Sequence, residues 1–125
     1  MITALHTIIY SDDAELTRAF LRDKLGWANV DPGGGWLIFR TGPSEMGVHP
    51  TRGTWEGEQY SFEKKHVISL MCDDLDATMA DLEAKGVEFE EAIAEESFGR
   101  VAMMRVPGAG VWGLYEPSHP TGFDL

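Results

Sequence analysis

Apolar and polar residues alternate in short runs along this chain, and two of the runs match. Leu5-His6-Thr7-Ile8-Ile9-Tyr10 and Lys65-His66-Val67-Ile68-Ser69-Leu70 are apolar, β-branched stretches with one histidine near the start. Each is followed by acidic residues, Asp12-Asp13 and Asp73-Asp74, and then by a helix-like pattern. Runs that are apolar on both faces predict strands covered on both sides. His6 and His66 stand sixty residues apart, as do Gly26 and Gly86, the glycines that stop the two helices. A spacing repeated at two features predicts an internal duplication.

Taken in order, residues 4 to 10 form the first strand, with His6, Ile8 and Tyr10 on one face. Ser11-Asp12-Asp13 supplies capping side chains, with Glu15 in capping-box position. The helix that follows carries Leu16, Phe20, Leu21 and Leu25 on its apolar stripe and ends at Gly26. Three short extended pieces come next: Trp27 to Val30, Trp36 to Arg40, and Glu45 to His49. Asp31-Pro32-Gly33-Gly34-Gly35 and Thr41-Gly42-Pro43-Ser44 turn the chain between them. Residues 51 to 64 show no periodicity, and their aromatics, Trp55, Tyr60 and Phe62, leave two readings open: the edge of a cavity, or pins for a surface connection. From Lys65 the order repeats, with a strand to Cys72 and a helix bearing Leu75, Met79 and Leu82 at i, i+4 and i+7. Strands follow over 87 to 93, 100 to 106 and 111 to 116, with Pro107-Gly108-Ala109-Gly110 as the last turn.

The chain is 125 residues long, enough for one domain with its own core. The expected organisation is therefore one domain over 1 to 125, with a first module of about 2 to 50, a connection of about 51 to 64, and a second module of about 65 to 119. A formal net charge of -11 argues against nucleic acid and anionic membranes as partners and is compatible with a cationic ligand. Cys72 is the only cysteine, which excludes an internal disulfide and makes a reducing, cytoplasmic setting the expectation. It lies at the end of an apolar strand with no adjacent basic residue, as an inert thiol would. No apolar run approaches the length of a membrane span. The triple glycine precedes a strand, so it lacks the helix N-terminus that a phosphate loop needs.

Two βαβββ modules, a histidine opening each, a first helix ending in Leu25-Gly26-Trp27 and a last turn leading into Gly113-Leu114-Tyr115-Glu116-Pro117 resemble the vicinal oxygen chelate superfamily, the glyoxalase, bleomycin-resistance and extradiol-dioxygenase group. The resemblance spans Ile2 to about His119. It implies an α+β fold in which two curved half-barrel sheets enclose a cup with the helices outside, and two chains pairing as a homodimer to complete that cup. It also implies a divalent metal, Fe, Zn, Ni or Mn, held by one residue from the first and one from the last strand of each module. Carried over, the first-strand positions are His6 and His66, while Gly47 and Gly113 fall where the last-strand ligands, usually acidic, would stand.

His49, two residues beyond Gly47, points to the same side and becomes the third candidate metal ligand, whereas Glu116, three beyond Gly113, turns to the opposite face. His119, in a terminal Ser-His-Pro loop, reads as a solvated side chain. Ile8, Tyr10, Trp36, Ile68 and Tyr115 are the expected substrate-binding walls. Two functions remain open. One is an enzyme, a metal-dependent lyase or dioxygenase in which the ion acts as Lewis acid on neighbouring substrate oxygens; the missing carboxylates argue against glyoxalase I activity proper. The other is a metal-free protein that sequesters a hydrophobic or cationic small molecule, glycine at the ligand positions leaving room for it.

Overall fold

The computed structural model describes residues 6–124. Its best-formed unit is the second half. There β5 (Ser69–Met71), helix α2 (Leu75–Ala84), β6 (Phe89–Glu96), β7 (Gly99–Val106) and β8 (Gly110–Pro117) build a four-stranded sheet of order β5-β8-β7-β6. β5 runs parallel to β8, and the other neighbours are antiparallel. One face of this sheet carries Ala102, Met104, Val106, Trp112 and Leu114, which form the core together with Leu75 and Leu82 of α2. The opposite face carries Val101, Met103, Gly113 and Tyr115, because side chains alternate along a strand. Both halves of the pattern follow from the period-2 spacing of apolar residues in 101 to 115.

Helix α2 starts where it does because two carboxylates satisfy its unpaired N–H groups. Asp74 is the N-cap and accepts from the Ala77 N–H at 3.0 Å. Glu116 reaches across from β8 to accept from the Leu75 N–H at 2.6 Å. Glu116 thus turns away from the open face, as its spacing from Gly113 predicts, and ties the helix to the sheet. Glu116→Ala will orphan that N–H and lower stability by about 1 kcal/mol, measured by urea unfolding. A helix start indifferent to this change would remove Glu116 as a cap.

The first half contributes helix α1 (Ala14–Ala19), a π-helical turn over Phe20–Lys24, the short pair β1 (Asn29–Val30) and β2 (Ile38–Phe39), and a hairpin of β3 (Arg52–Trp55) and β4 (Glu58–Ser61). Asp13 caps α1 by accepting from the Leu16 N–H at 3.1 Å. The helix docks on the β7–β8 turn: Thr17, 3% exposed, donates its hydroxyl to the Pro107 carbonyl at 2.6 Å, and the Asp12 N–H donates to the Gly108 carbonyl at 2.9 Å. Phe20 and Leu21, adjacent in sequence, are both buried in the core.

The α+β class and the strand-helix-three-strand order of the second half stand as the sequence predicts. The first half departs in three places. Residues 6–10 run without strand pairing, and residues 4 and 5 of that predicted strand lie outside the described residues. Residues 45 to 49 form no strand either. An isolated ladder in water is marginal unless an apolar face is covered, and here Ile8, Tyr10, Met46 and Val48 are exposed.

The third departure is a gain: the connection expected to lack structure contains a hairpin. Glu56 and Gly57, both at positive φ, make its two-residue turn, an X-Gly signal legible in the sequence. Among the described residues no helix is long and apolar enough to cross a membrane.

Candidate functional site

The three histidines expected to share a metal are not brought together. Among the described residues no group of three or more His, Cys, Asp and Glu side chains could hold a metal ion. His6 and His66 are both exposed. His49 donates from Nδ1 to the Pro50 carbonyl at 2.7 Å and packs on Tyr60 and Phe62, with ring centroids 5.4 and 6.0 Å away. Tyr60 and Phe62 therefore pin the chain around His49. Lys65, 5.0 Å over the Phe62 ring, extends the same cluster.

The register of the duplication explains why His6 and His66 do not match. The two helix N-caps, Asp13 and Asp74, stand sixty-one residues apart, whereas the histidines stand sixty apart. Counted back from the caps, the counterpart of His6 is Val67. A shift of one residue in a strand turns a side chain to the other face. Ser69 and Met71 lie in register with Gly113 and Tyr115 on the open face, while Leu70 lies beside Leu114 of the core. One residue before β5, Ile68 falls on the core side of that alternation and does pack against the core. Ile68 is thus not a wall of the cup.

Gly113 has its own geometry. A Cβ there would meet the Ser69 hydroxyl oxygen at 2.6 Å and Val101 Cγ1 at 3.3 Å, so a serine fills the space where a longer side chain would stand. Among the described residues of one chain the donor set therefore does not fit a divalent metal: glycines stand at two of the positions, and His49 belongs to another cluster.

Of the other expected walls, Ile8 is 66% exposed and Tyr10 92%. Trp36 is 70% exposed and lies under the Arg18 guanidinium, 5.0 Å from its ring centroid, which joins the glycine-rich loop to α1. Tyr115 is the one placed in the sheet's open face. Its hydroxyl donates to the Phe98 carbonyl at 3.0 Å, its ring meets Phe98 edge-on at 5.9 Å, and His119 lies against it at 5.8 Å. Burial first, and the Glu45 carboxylate second, hold the Tyr115 phenol above its ordinary pKa.

Two residues that sequence reasoning did not place here complete the neighbourhood: Glu45, and His119, which is not simply solvated but donates from Nδ1 to the Pro120 carbonyl at 2.7 Å and lies against Tyr115. Glu45 accepts from the Gly122 N–H at 2.6 Å and lies 3.7 Å from His119 Nε2. A cleft of about 420 Å³ lies among Glu45, Met46, Gly47, His119 and Gly122. A second, of about 560 Å³, lies among Met71, Cys72, Asp73, Pro117, His119 and Phe123. Only one hint preceded them: Glu45 is two residues before Gly47 and so shares its side in an extended chain. Burial pushes the Cys72 thiol above its ordinary pKa; Thr78 opposes the shift by hydrogen bonding, and Glu116, Asp73 and Asp74 add to it.

Comparison with known proteins agrees with this architecture. The profile of the Glyoxalase/Bleomycin resistance protein/Dioxygenase superfamily matches residues 3–119. Similar solved structures include TnmS3, an antibiotic binding protein from Streptomyces sp. CB03234, at 20% identity and a TM-score of 0.55 over 94% of this chain and 100% of that one. A superfamily member from Sphaerobacter thermophilus DSM 20745 is 21% identical, with a TM-score of 0.57 over 91% of this chain and 97% of its own. A lactoylglutathione lyase from Agrobacterium tumefaciens is 18% identical, with a TM-score of 0.56 over 90% and 95%. No curated protein matches the chain. At these identities the likeness is one of fold.

Proposed function

The chain belongs to the Glyoxalase/Bleomycin resistance protein/Dioxygenase superfamily, and from that premise we propose that it binds a small organic molecule against the open face of the β5-β8-β7 sheet without using a metal ion. The observation that carries this reading is Gly113, which supplies neither carboxylate nor imidazole and has the Ser69 hydroxyl in the space beside it. Around it Met71, Val101, Met103 and Tyr115 make a wall that is apolar and aromatic. Thioethers and an aromatic ring suit flat, apolar ligands, since both are polarizable and adapt to irregular shapes. The Glu45 carboxylate beside Tyr115 and the net charge of -11 favour a ligand that also carries positive charge. TnmS3, described as an antibiotic binding protein, offers a precedent for such a role on this fold.

The reading includes a homodimer. Ile8, Tyr10, Trp36 and Val48 are exposed in the single chain, and a second copy lying on them would close the cup that one chain leaves open. Sedimentation over rising protein concentration measures this, and a strictly monomeric protein would remove the dimer from the reading.

The function itself is tested by two measurements on the same preparation. Protein purified without chelator will contain no stoichiometric Fe, Zn, Ni or Mn. A panel of planar organic cations, followed by calorimetry, will include binders whose affinity is unchanged by EDTA and by His6→Ala or His66→Ala. Tyr115→Ala will weaken that binding by about threefold to tenfold, the value of one aromatic contact. Stoichiometric metal that disappears with His6→Ala would sink the metal-free reading and restore the metal-dependent enzyme.

A further inference from the structure

Beside the aromatic wall, two hydrogen-bond acceptors face each other across a gap. His119 Nδ1 lies 2.7 Å from the Pro120 carbonyl, and a carbonyl oxygen can only accept, so Nδ1 carries the hydrogen. In the neutral ring that leaves Nε2 with a bare lone pair. Nε2 looks toward Glu45 Oε1 at 3.7 Å, too far for a hydrogen bond between the two. The other carboxylate oxygen, Oε2, accepts from the Gly122 N–H at 2.6 Å, which fixes the side chain and turns Oε1 to the imidazole. Only 20% of the Glu45 side chain is exposed, so solvent screens its charge poorly. Both residues line the cleft of about 420 Å³.

Facing acceptors at this spacing repel, and what relieves them is a hydrogen supplied from outside the pair. A nitrogen set to one side of the gap can lie about 2.8 Å from both atoms, the length of a charge-assisted hydrogen bond. Tyr115 does not supply it. Its ring stacks 5.8 Å from that of His119, but its hydroxyl donates to the Phe98 carbonyl.

We infer that Glu45 Oε1 and His119 Nε2 form the receptor for the protonated amine of the ligand, a primary or secondary ammonium that donates to both while its flat body lies on Tyr115. The receptor rests on the reading that the open face binds a small organic molecule, and it adds which cations are chosen. A carboxylate attracts any cation, whereas a lone pair rewards only a donor. Quaternary ammonium compounds, which have charge but no N–H, are therefore discriminated against.

Three probes that share one flat ring separate charge from donation: naphthylmethylammonium, its N,N,N-trimethyl counterpart and naphthylmethanol. Calorimetry at about pH 8, where an ordinary imidazole is neutral, will show the primary ammonium binding on the order of tenfold more tightly than either of the others, the effect of charge-assisted hydrogen bonds. His119→Phe keeps a ring against Tyr115, and Glu45→Gln keeps an acceptor for the Gly122 N–H. Each will erase the preference. Nitrogen NMR of the free protein at the same pH will show His119 protonated on Nδ1 alone, and the Nε2 signal will move with the primary ammonium but not with the trimethyl probe.

Equal affinities for the primary and trimethyl probes would overturn the receptor and leave the binding reading standing. A hydrogen on Nε2 in the free protein would overturn it as well, because the imidazole would then itself be the donor to Glu45. Failure of all three probes to bind would sink the binding reading and the receptor with it, whatever the NMR spectrum shows.

Discussion

Met104→Ala will lower the free energy of unfolding by about 2–5 kcal/mol, the range for truncating a fully buried long side chain. Met104 is 0% exposed and lies on the central strand β7, in register with Phe89 of β6 on one side and Trp112 of β8 on the other. Truncation removes the transfer energy of the lost atoms and leaves a cavity among neighbours held by strand pairing. Those neighbours can collapse only partly. Met103, one residue earlier, faces the open side and is half-buried. Met103→Ala will cost well under half as much in a urea titration and will weaken ligand binding. Equal losses at the two positions would mean that the assignment of the two sheet faces is wrong.

Gly99→Ala will cost about 2–4 kcal/mol, and it will also disturb the candidate site. Gly99 has a φ of +150°, which side chains rarely adopt, and a Cβ there would overlap the Glu116 carbonyl oxygen and stand 2.8 Å from Tyr115 Cε2. Backbone strain and overpacking each contribute on the scale of 1–3 kcal/mol. The first obstacle is backbone, which cannot rotate away as a side-chain tip can. The second is the ring that forms the aromatic wall. Urea unfolding will report the stability loss, and the near-ultraviolet signal of Tyr115 will change with it. A variant with parental stability and spectrum would show that this turn is looser than its close approach to β8 implies.

The two substitutions also show which parts of the protein were legible in the sequence. The core of the second half was legible because its residues repeat at the spacing their elements require: every second residue along 102 to 106, and i, i+4 and i+7 along α2. The helix boundaries were legible to within a residue, since acidic caps and Gly26 act locally, but the capping box expected from Asp12 and Glu15 does not form: Asp13 caps α1 by accepting from the Leu16 N–H, and the Asp12 N–H donates to the Gly108 carbonyl. The hairpin at Arg52–Trp55 and Glu58–Ser61 carried a readable turn signal, Glu56-Gly57, but its flanking residues lack clean alternation.

The histidines were the harder case. Counting sixty residues from His6 to His66 matched residue names, whereas the helix caps are sixty-one apart. In a strand, that single residue decides which face a side chain occupies. The position of His49 depended on Tyr60 and Phe62, which come from a hairpin whose packing no local pattern encodes.

From its residues alone this chain determined its class, the strand-helix-three-strand order of its second half, the acidic pairs that start each helix and the apolar faces that must be buried. These are short-range properties, set by side-chain periodicity and by the backbone preferences of a few residues. Only the tertiary structure decided which polar groups meet: that Glu116 caps α2, that Ser69 fills the space beside Gly113, and that Glu45 holds the returning C-terminal segment. Each of these contacts joins residues more than forty positions apart. Such pairs are selected by how sheets stack and chains return, and a directional hydrogen bond forms only after that geometry exists.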